Sequence, residues 1–180
     1  MRNINQAKRI YILGIYGSGK TYLAKKLSKK LKIKHYELDS IKYKHKFDIE
    51  RSVSERKFLV KKIANKKTWI IEGTWTTYVL PVFNKADLII FLNIPKYVLY
   101  FRVISRYFRR LFHKQKYFKN TPYSTFKLIK AIDKYYYSNA PISLYYHKKM
   151  IRKYKKKSII KTGGISTILM GSPLFVLFPQ

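Results

Sequence analysis

Short, wholly apolar runs alternate with longer stretches of near-helical period along much of this chain. Arg9–Leu13 reads as a buried strand and runs straight into a glycine-rich turn. Lys20–Leu31 follows with helical spacing, Tyr22-Leu23, Leu27 and Leu31 forming an apolar face among lysines. Lys34–Leu38 is a second short strand that ends at Asp39, and 40–51 has no clear period, as expected of an irregular or short-helical insert. Ser52 with Glu55 resembles a capping box for a helix reaching about Ala64, with Phe58, Leu59 and Ile63 facing inward. Thr68–Ile71, closed by Glu72-Gly73, and Leu88–Leu92 are the third and fourth strands. The last of these is apolar throughout, as a strand covered on both faces should be.

Pro95 stands where a helix would begin, and 96–112 has a strongly basic helical pattern. Beyond the break at Pro122, residues Phe126, Ile129 and Ile132 predict a helix to about Ser138. Pro141 opens another to about Lys153, and Lys157–Lys161 supplies a fifth strand. Strands alternating with helices point to an α/β fold with a parallel sheet of about five strands flanked by helices. No repeat or long linker divides residues 1–180, so a single domain is expected, with a core over about 9–161. A tail at 162–180, broken by Gly163-Gly164, Gly171 and Pro173, fits no element.

Composition adds three constraints. The chain has no cysteine, which excludes a disulfide scaffold and a cysteine-built zinc site. No apolar run approaches the ~20 residues of a membrane helix, and the apolar run after Arg9 is too short for a signal-peptide core; nothing favours secretion, and a cytoplasmic location is expected. The net charge is +32, from 40 Lys and Arg against 8 Asp and Glu. Such a charge attracts polyanions, including nucleotides, nucleic acid and acidic membrane surfaces, although an even spread of lysine is also what a compositional bias produces. With so few acids, each one in a structured place carries more information.

The chemistry begins at Gly14-Ile15-Tyr16-Gly17-Ser18-Gly19-Lys20-Thr21, which meets the pattern G-x-x-x-x-G-K-[ST] between an apolar strand and an amphipathic helix. Glycines let the backbone curl so that its N–H groups point at phosphate oxygens, and the following helix adds its positive end. Gly14, Gly17, Ser18, Gly19, Lys20 and Thr21 are therefore expected to bind a nucleoside triphosphate, with Lys20 reaching the β- and γ-phosphates and Thr21 ligating Mg²⁺. In an open parallel sheet, ligands sit beyond the carboxyl ends of the strands. Asp39 and Glu72 are placed there by the sequence. Glu72 would hold Mg²⁺ through water or orient the attacking group, or would serve as a strand-end acid. Asp39 would meet an acceptor hydroxyl, or serve as a simple cap for the segment after it. Asp87, at the start of its strand, reads as structural.

Arg102, Arg106, Arg109 and Arg110 fall within nine residues of a chain that elsewhere prefers lysine. Three of them share a helix face, from which planar guanidinium groups would neutralise charge on a transferring phosphoryl group. Two other readings stand: a solvated basic helix, and a nucleic-acid grip built from Arg102 to Lys119 with its interleaved aromatics. His45, His113 and His147 sit near lysines and have no metal-ligand spacing, His35 sits in a strand, and none of the four receives a role.

In order, Ile12 to Thr21, Leu38-Asp39-Ser40-Ile41, Trp69 to Trp75, Ala86 to Leu92, Pro95 and the arginine helix resemble the adenylate-kinase-like P-loop proteins. They are most similar to the small branch described as topology modulation or FlaR-like proteins. The resemblance covers about residues 9 to 120. It implies a P-loop NTPase fold with a basic lid-like helix, ATP and Mg²⁺ as cofactors, and phosphoryl transfer to an unidentified small, nucleoside- or nucleotide-like acceptor. Lys20, Asp39, Glu72, Arg102, Arg106 and Arg109 would be catalytic, Thr21 and Glu72 would be on the metal side, and Arg110 would be among the nucleotide-binding residues. The alternative is an NTP-binding protein whose main partner is DNA or RNA. The chain departs from the pattern after Gly73, where Thr74 to Tyr78 include no basic group to hold an acceptor phosphate, and at Glu72, where aspartate is usual.

Overall fold

In a computed structural model, residues 4–44, 49–112 and 122–162 are described, without the side chains of Arg110 and Phe112. The expected tail and the aromatic-basic stretch at 113–119 lie almost wholly outside these residues. Five strands, β1 (Arg9–Gly14), β2 (His35–Glu37), β3 (Trp69–Gly73), β4 (Leu88–Leu92) and β5 (Ser158–Lys161), form one sheet in the order β2-β3-β1-β4-β5. Every pairing is parallel, with Ile12 opposite Glu72 on one side and Ile90 on the other. The chain leaves β1 toward β2 and β3, then crosses back to β4. The crevice at the carboxyl ends of β1 and β3 is therefore where the topology places a ligand.

Among the described residues, seven α-helices connect the strands: α1 (Lys20–Leu31), α2 (Leu38–Lys42), α3 (Val53–Ala64), α4 (Leu80–Lys85), α5 (Lys96–Phe112), α6 (Pro122–Tyr137) and α7 (Leu144–Lys153). Strand alternation divides the core in two. Ile10, Ile12, Ile70 and Ile90 face Leu23 and Leu27 of α1, Leu99 and Val103 of α5, and Ile132 of α6. Tyr11, Leu13, Trp69, Ile71 and Phe91 face Val60 of α3, Val82 and Phe83 of α4, and Ile151 of α7. Both faces are covered, which is why the central strands read as continuous apolar runs.

Several inward faces differ from expectation. Phe58 and Tyr22 are exposed, whereas Val60, Ala64 and Ala24 are buried, together with Leu23 as expected. Small side chains let a helix approach the sheet closely, and the large aromatics rotate outward to lie against lysine stems, as Tyr22 does under Lys26. The capping box forms as expected: the Glu55 N–H donates to Ser52 Oγ, and the Ser52 N–H donates to Glu55 Oε2 at 2.8 Å. At the opposite end of the sheet from the glycine loop, Asp87 accepts hydrogen bonds from the Lys8 and Arg9 N–H groups and pairs with the Arg9 guanidinium at 2.8 Å. That acid pins β1 to β4, the structural role its position implied.

Candidate functional site

The loop from β1 to α1 is shaped by its glycines. Gly17 and Gly19 take φ of 77° and 91°, the left-handed region where a side chain would be strained. A Cβ on Gly14 would lie 2.6 Å from Ser18 Oγ. Where α1 begins, Lys20, Thr21 and Glu72 converge. The Thr21 hydroxyl donates to Glu72 Oε1 at 2.6 Å, and Lys20 Nζ lies 3.8 Å from Glu72 Oε2. Lys20 and Glu72 are both buried. Burial pushes the Glu72 carboxyl above the usual carboxylate range, against the opposing pull of Lys20 and Thr21. A hydroxyl and a carboxylate oxygen side by side are the hard donors that suit Mg²⁺, and a buried lysine at a glycine-curled loop suits phosphate.

Asp39 lies two residues beyond the end of β2, in the first turn of α2, not at a strand end. The strand stops early because Leu38 turns inward and is fully buried against Gly73, where even a Cβ would sit 2.5 Å from Leu38 Cδ1. The turn carries Asp39 to Trp75, whose indole N–H donates to Asp39 Oδ1 at 3.1 Å. Lys42 Nζ stands 4.4 Å over the same indole ring.

The arginine helix divides its labour. Arg102 donates to the carbonyls of Gly17 and Ser18, each at 3.2 Å, and so braces the loop. Arg106 and Arg109 are exposed on the same flank, and the Arg110 side chain lies outside the described residues. Leu99 and Val103 pack against Gly17 from the same helix.

Two features had no sequence signal. One is a buried hydrogen-bonded relay. His147 Nε2 lies 2.9 Å from the Thr74 carbonyl oxygen, which can only accept, so Nε2 carries the proton and Nδ1 accepts from the Tyr135 hydroxyl at 2.9 Å. Thr74 Oγ1 in turn donates to the carbonyl of Gly14, the first residue of the loop, at 3.0 Å. Burial holds the His147 pKa down at about 4. The other is His35, whose buried Nε2 has no hydrogen-bond partner and lies 4.0 Å from Glu72 Oε1. With Glu37 it brings one nitrogen and two carboxylates to within 4.8 Å of one another. The alternation of β2 puts His35 and Glu37 on one face, but only the in-register pairing of Glu37 with Glu72 joins them to the site.

No family model matches the chain. Among curated proteins, it is 34% identical over 104 residues to the uncharacterized protein YqaC of Bacillus subtilis (strain 168), an alignment covering 57% of this chain and 58% of that relative. The match thus spans less than two thirds of the relative's length. Among solved structures, shikimate kinase from Acinetobacter baumannii, in complex with shikimate, superposes with a TM-score of 0.54 at 14% identity, covering 92% of this chain and 90% of that one. Shikimate kinase from Bacteroides thetaiotaomicron gives a TM-score of 0.51 at 17% identity, with 87% and 86% covered. The chain has the α/β P-loop NTPase fold that these structures share. Among the described residues, no helix is long and apolar enough to cross a membrane.

Proposed function

We propose that this protein is a small kinase that binds ATP with Mg²⁺ and transfers the γ-phosphoryl group to a small hydroxyl- or phosphate-bearing acceptor. The observation that carries the reading is the convergence of Lys20, Thr21 and Glu72 at the end of a glycine loop whose backbone conformation L side chains rarely adopt. Bound Mg²⁺ would neutralise charge on the phosphate oxygens. Lys20 would contact the β- and γ-phosphates, and Thr21 and Glu72 would hold the metal side. Arg106 and Arg109 would come over the transferring group from α5, while Arg102 keeps the loop in shape. Catalysis of this kind is positioning and charge stabilisation.

Asp39 belongs on the acceptor side. Its carboxylate is oriented by Trp75, over whose ring Lys42 lies, so an acceptor there meets an acid and an indole with a cation close by. The stretch from Thr74 to Tyr78 brings no arginine to that side, which weighs against a nucleoside monophosphate. The likeness to shikimate kinases supports a small-molecule acceptor through the fold alone. The resemblance to the topology modulation branch is our proposal for the subfamily, resting on the ordered residues between 9 and 120.

The test is transfer of labelled γ-phosphate from ATP with Mg²⁺ to a panel of nucleosides, nucleoside monophosphates, small hydroxy acids, sugars and a 5′-hydroxyl oligonucleotide. A labelled small-molecule product is expected, falling by at least about a hundredfold in Lys20→Ala, the scale of losing one charge-stabilising donor. ATP bound but never transferred to any acceptor would remove the kinase reading. Transfer only to the oligonucleotide would move the protein to the nucleic-acid class.

A further inference from the structure

The outer surface of α5 is unlike that of a solvated helix. Tyr97, Phe101, Ile104, Phe108 and Leu111 follow one another at intervals of four, three, four and three residues. All five are exposed, Tyr97 and Phe101 by 73% and 72%. At 3.6 residues per turn they fall within an arc of about 80° and make an apolar stripe about 21 Å long. Leu99 and Val103, which enter the core, lie on the far side of the helix. The stripe therefore points away from the core.

α6 runs beside it. The Tyr100 hydroxyl of α5 donates to Asp133 of α6, and Lys96 Nζ pairs with the same carboxylate at 2.9 Å. The outer face of α6 carries exposed Tyr123, Phe126 and Tyr137, with Lys127 and Lys130 folded over the first two rings at 4.5 and 4.6 Å. Tyr137 lies under Lys96 of α5 at 4.7 Å. Arg102, Arg106 and Arg109 lie about 120–180° round α5 from the centre of the stripe, toward the phosphate loop, and take no part in this face. The arrangement is an apolar centre edged by the lysines of α6. Asp133 is the one acid on either helix, and it is paired.

We propose that the joint outer face of α5 and α6 docks the protein onto an anionic lipid surface, lying in the headgroup region without crossing it. Charge complementarity selects this occupant. A second copy would bring another +32 charge and its own α6 lysines against these. Nucleic acid calls for cations at the centre of the contact and flat rings to stack on bases. Here the centre is apolar and includes the aliphatic Ile104 and Leu111. An aromatic and aliphatic stripe edged by lysines is the composition that enters a headgroup boundary, with apolar groups inserted and cations held at the phosphates.

The experiment is flotation of the full chain with phosphatidylcholine vesicles, with and without phosphatidylglycerol, for the wild type and for Phe101→Gln/Phe108→Gln. Both positions are exposed and glutamine is a good helix former, so the variant is expected to keep the wild-type melting temperature. Binding should require phosphatidylglycerol and weaken at least tenfold in the variant, whose charge is unchanged. Three results overturn the proposal. The wild type fails to float with anionic vesicles. The variant floats as well as the wild type, so that charge alone suffices. Or the wild type is a dimer by light scattering, or binds an oligonucleotide, and the variant abolishes that state while vesicle binding is absent.

Discussion

At Thr74 and His147, buried side chains set the backbone from which the glycine loop starts. Thr74→Val removes a donor while keeping the shape, and leaves the Gly14 carbonyl without that partner in a buried place. A loss of about 1 kcal/mol in stability, measured by urea unfolding, is expected from one such hydrogen bond, with weaker nucleotide binding alongside. His147 adds a pH dependence. Its folded pKa of about 4 lies below its ordinary 6.5. Between those values the unfolded chain takes up a proton that the folded protein refuses. The stabilisation is therefore complete above 6.5 and is lost as pH falls toward 4, by about 3 kcal/mol in all. Urea unfolding across that range should show the slope, and His147→Gln, which keeps a donor for Thr74, should flatten part of it. An unchanged slope would mean that other groups carry the acid sensitivity.

Among elements, the β3–α2 junction is the tightest. Gly73→Ala would force a methyl to within 2.5 Å of Leu38 Cδ1, in a place with no room to yield. Overpacking of this kind costs about 1–3 kcal/mol, read as a lower melting temperature. It should also displace Asp39, which follows Leu38, and so weaken acceptor use more than nucleotide binding. The strands were legible in the sequence because both faces of the sheet are covered, which leaves unbroken apolar runs. The phosphate loop was legible because its residues are contiguous. Glu72 was legible because it ends such a run. α4 was missed: Leu80–Lys85 is six residues long with Pro81 in its first turn, too short for a period to appear. The helix faces were misread wherever the largest hydrophobe was assumed to point inward, as at Phe58 and Tyr22. The parts of the site contributed by His35, Tyr135 and His147 depend on which strands pair and which helices meet, and spacing along the chain carries no trace of that.

For the whole molecule, charge dominates. A net +32 on a chain of 180 residues repels itself in the folded state more than in the expanded one. Salt shortens the range of that repulsion to about 10 Å at 0.1 M, so the melting temperature should rise between low and moderate salt, with the opposite trend counting against self-repulsion as a limit on stability. The acids that remain lie at joints. Asp87 ties β1 to β4, Asp133 ties α6 to α5, and Glu50 receives Lys42 and Arg56.

The relay into Gly14 also imposes an order in time. His147 and Thr74 are 73 residues apart, so the glycine loop gains this brace only after α7 has emerged and docked. A nascent chain halted before Leu144 would hold the motif, the central strands and α5, yet lack the imidazole that fixes the Thr74 carbonyl. The setting of the glycine loop is thereby tied to the docking of a helix far along the chain.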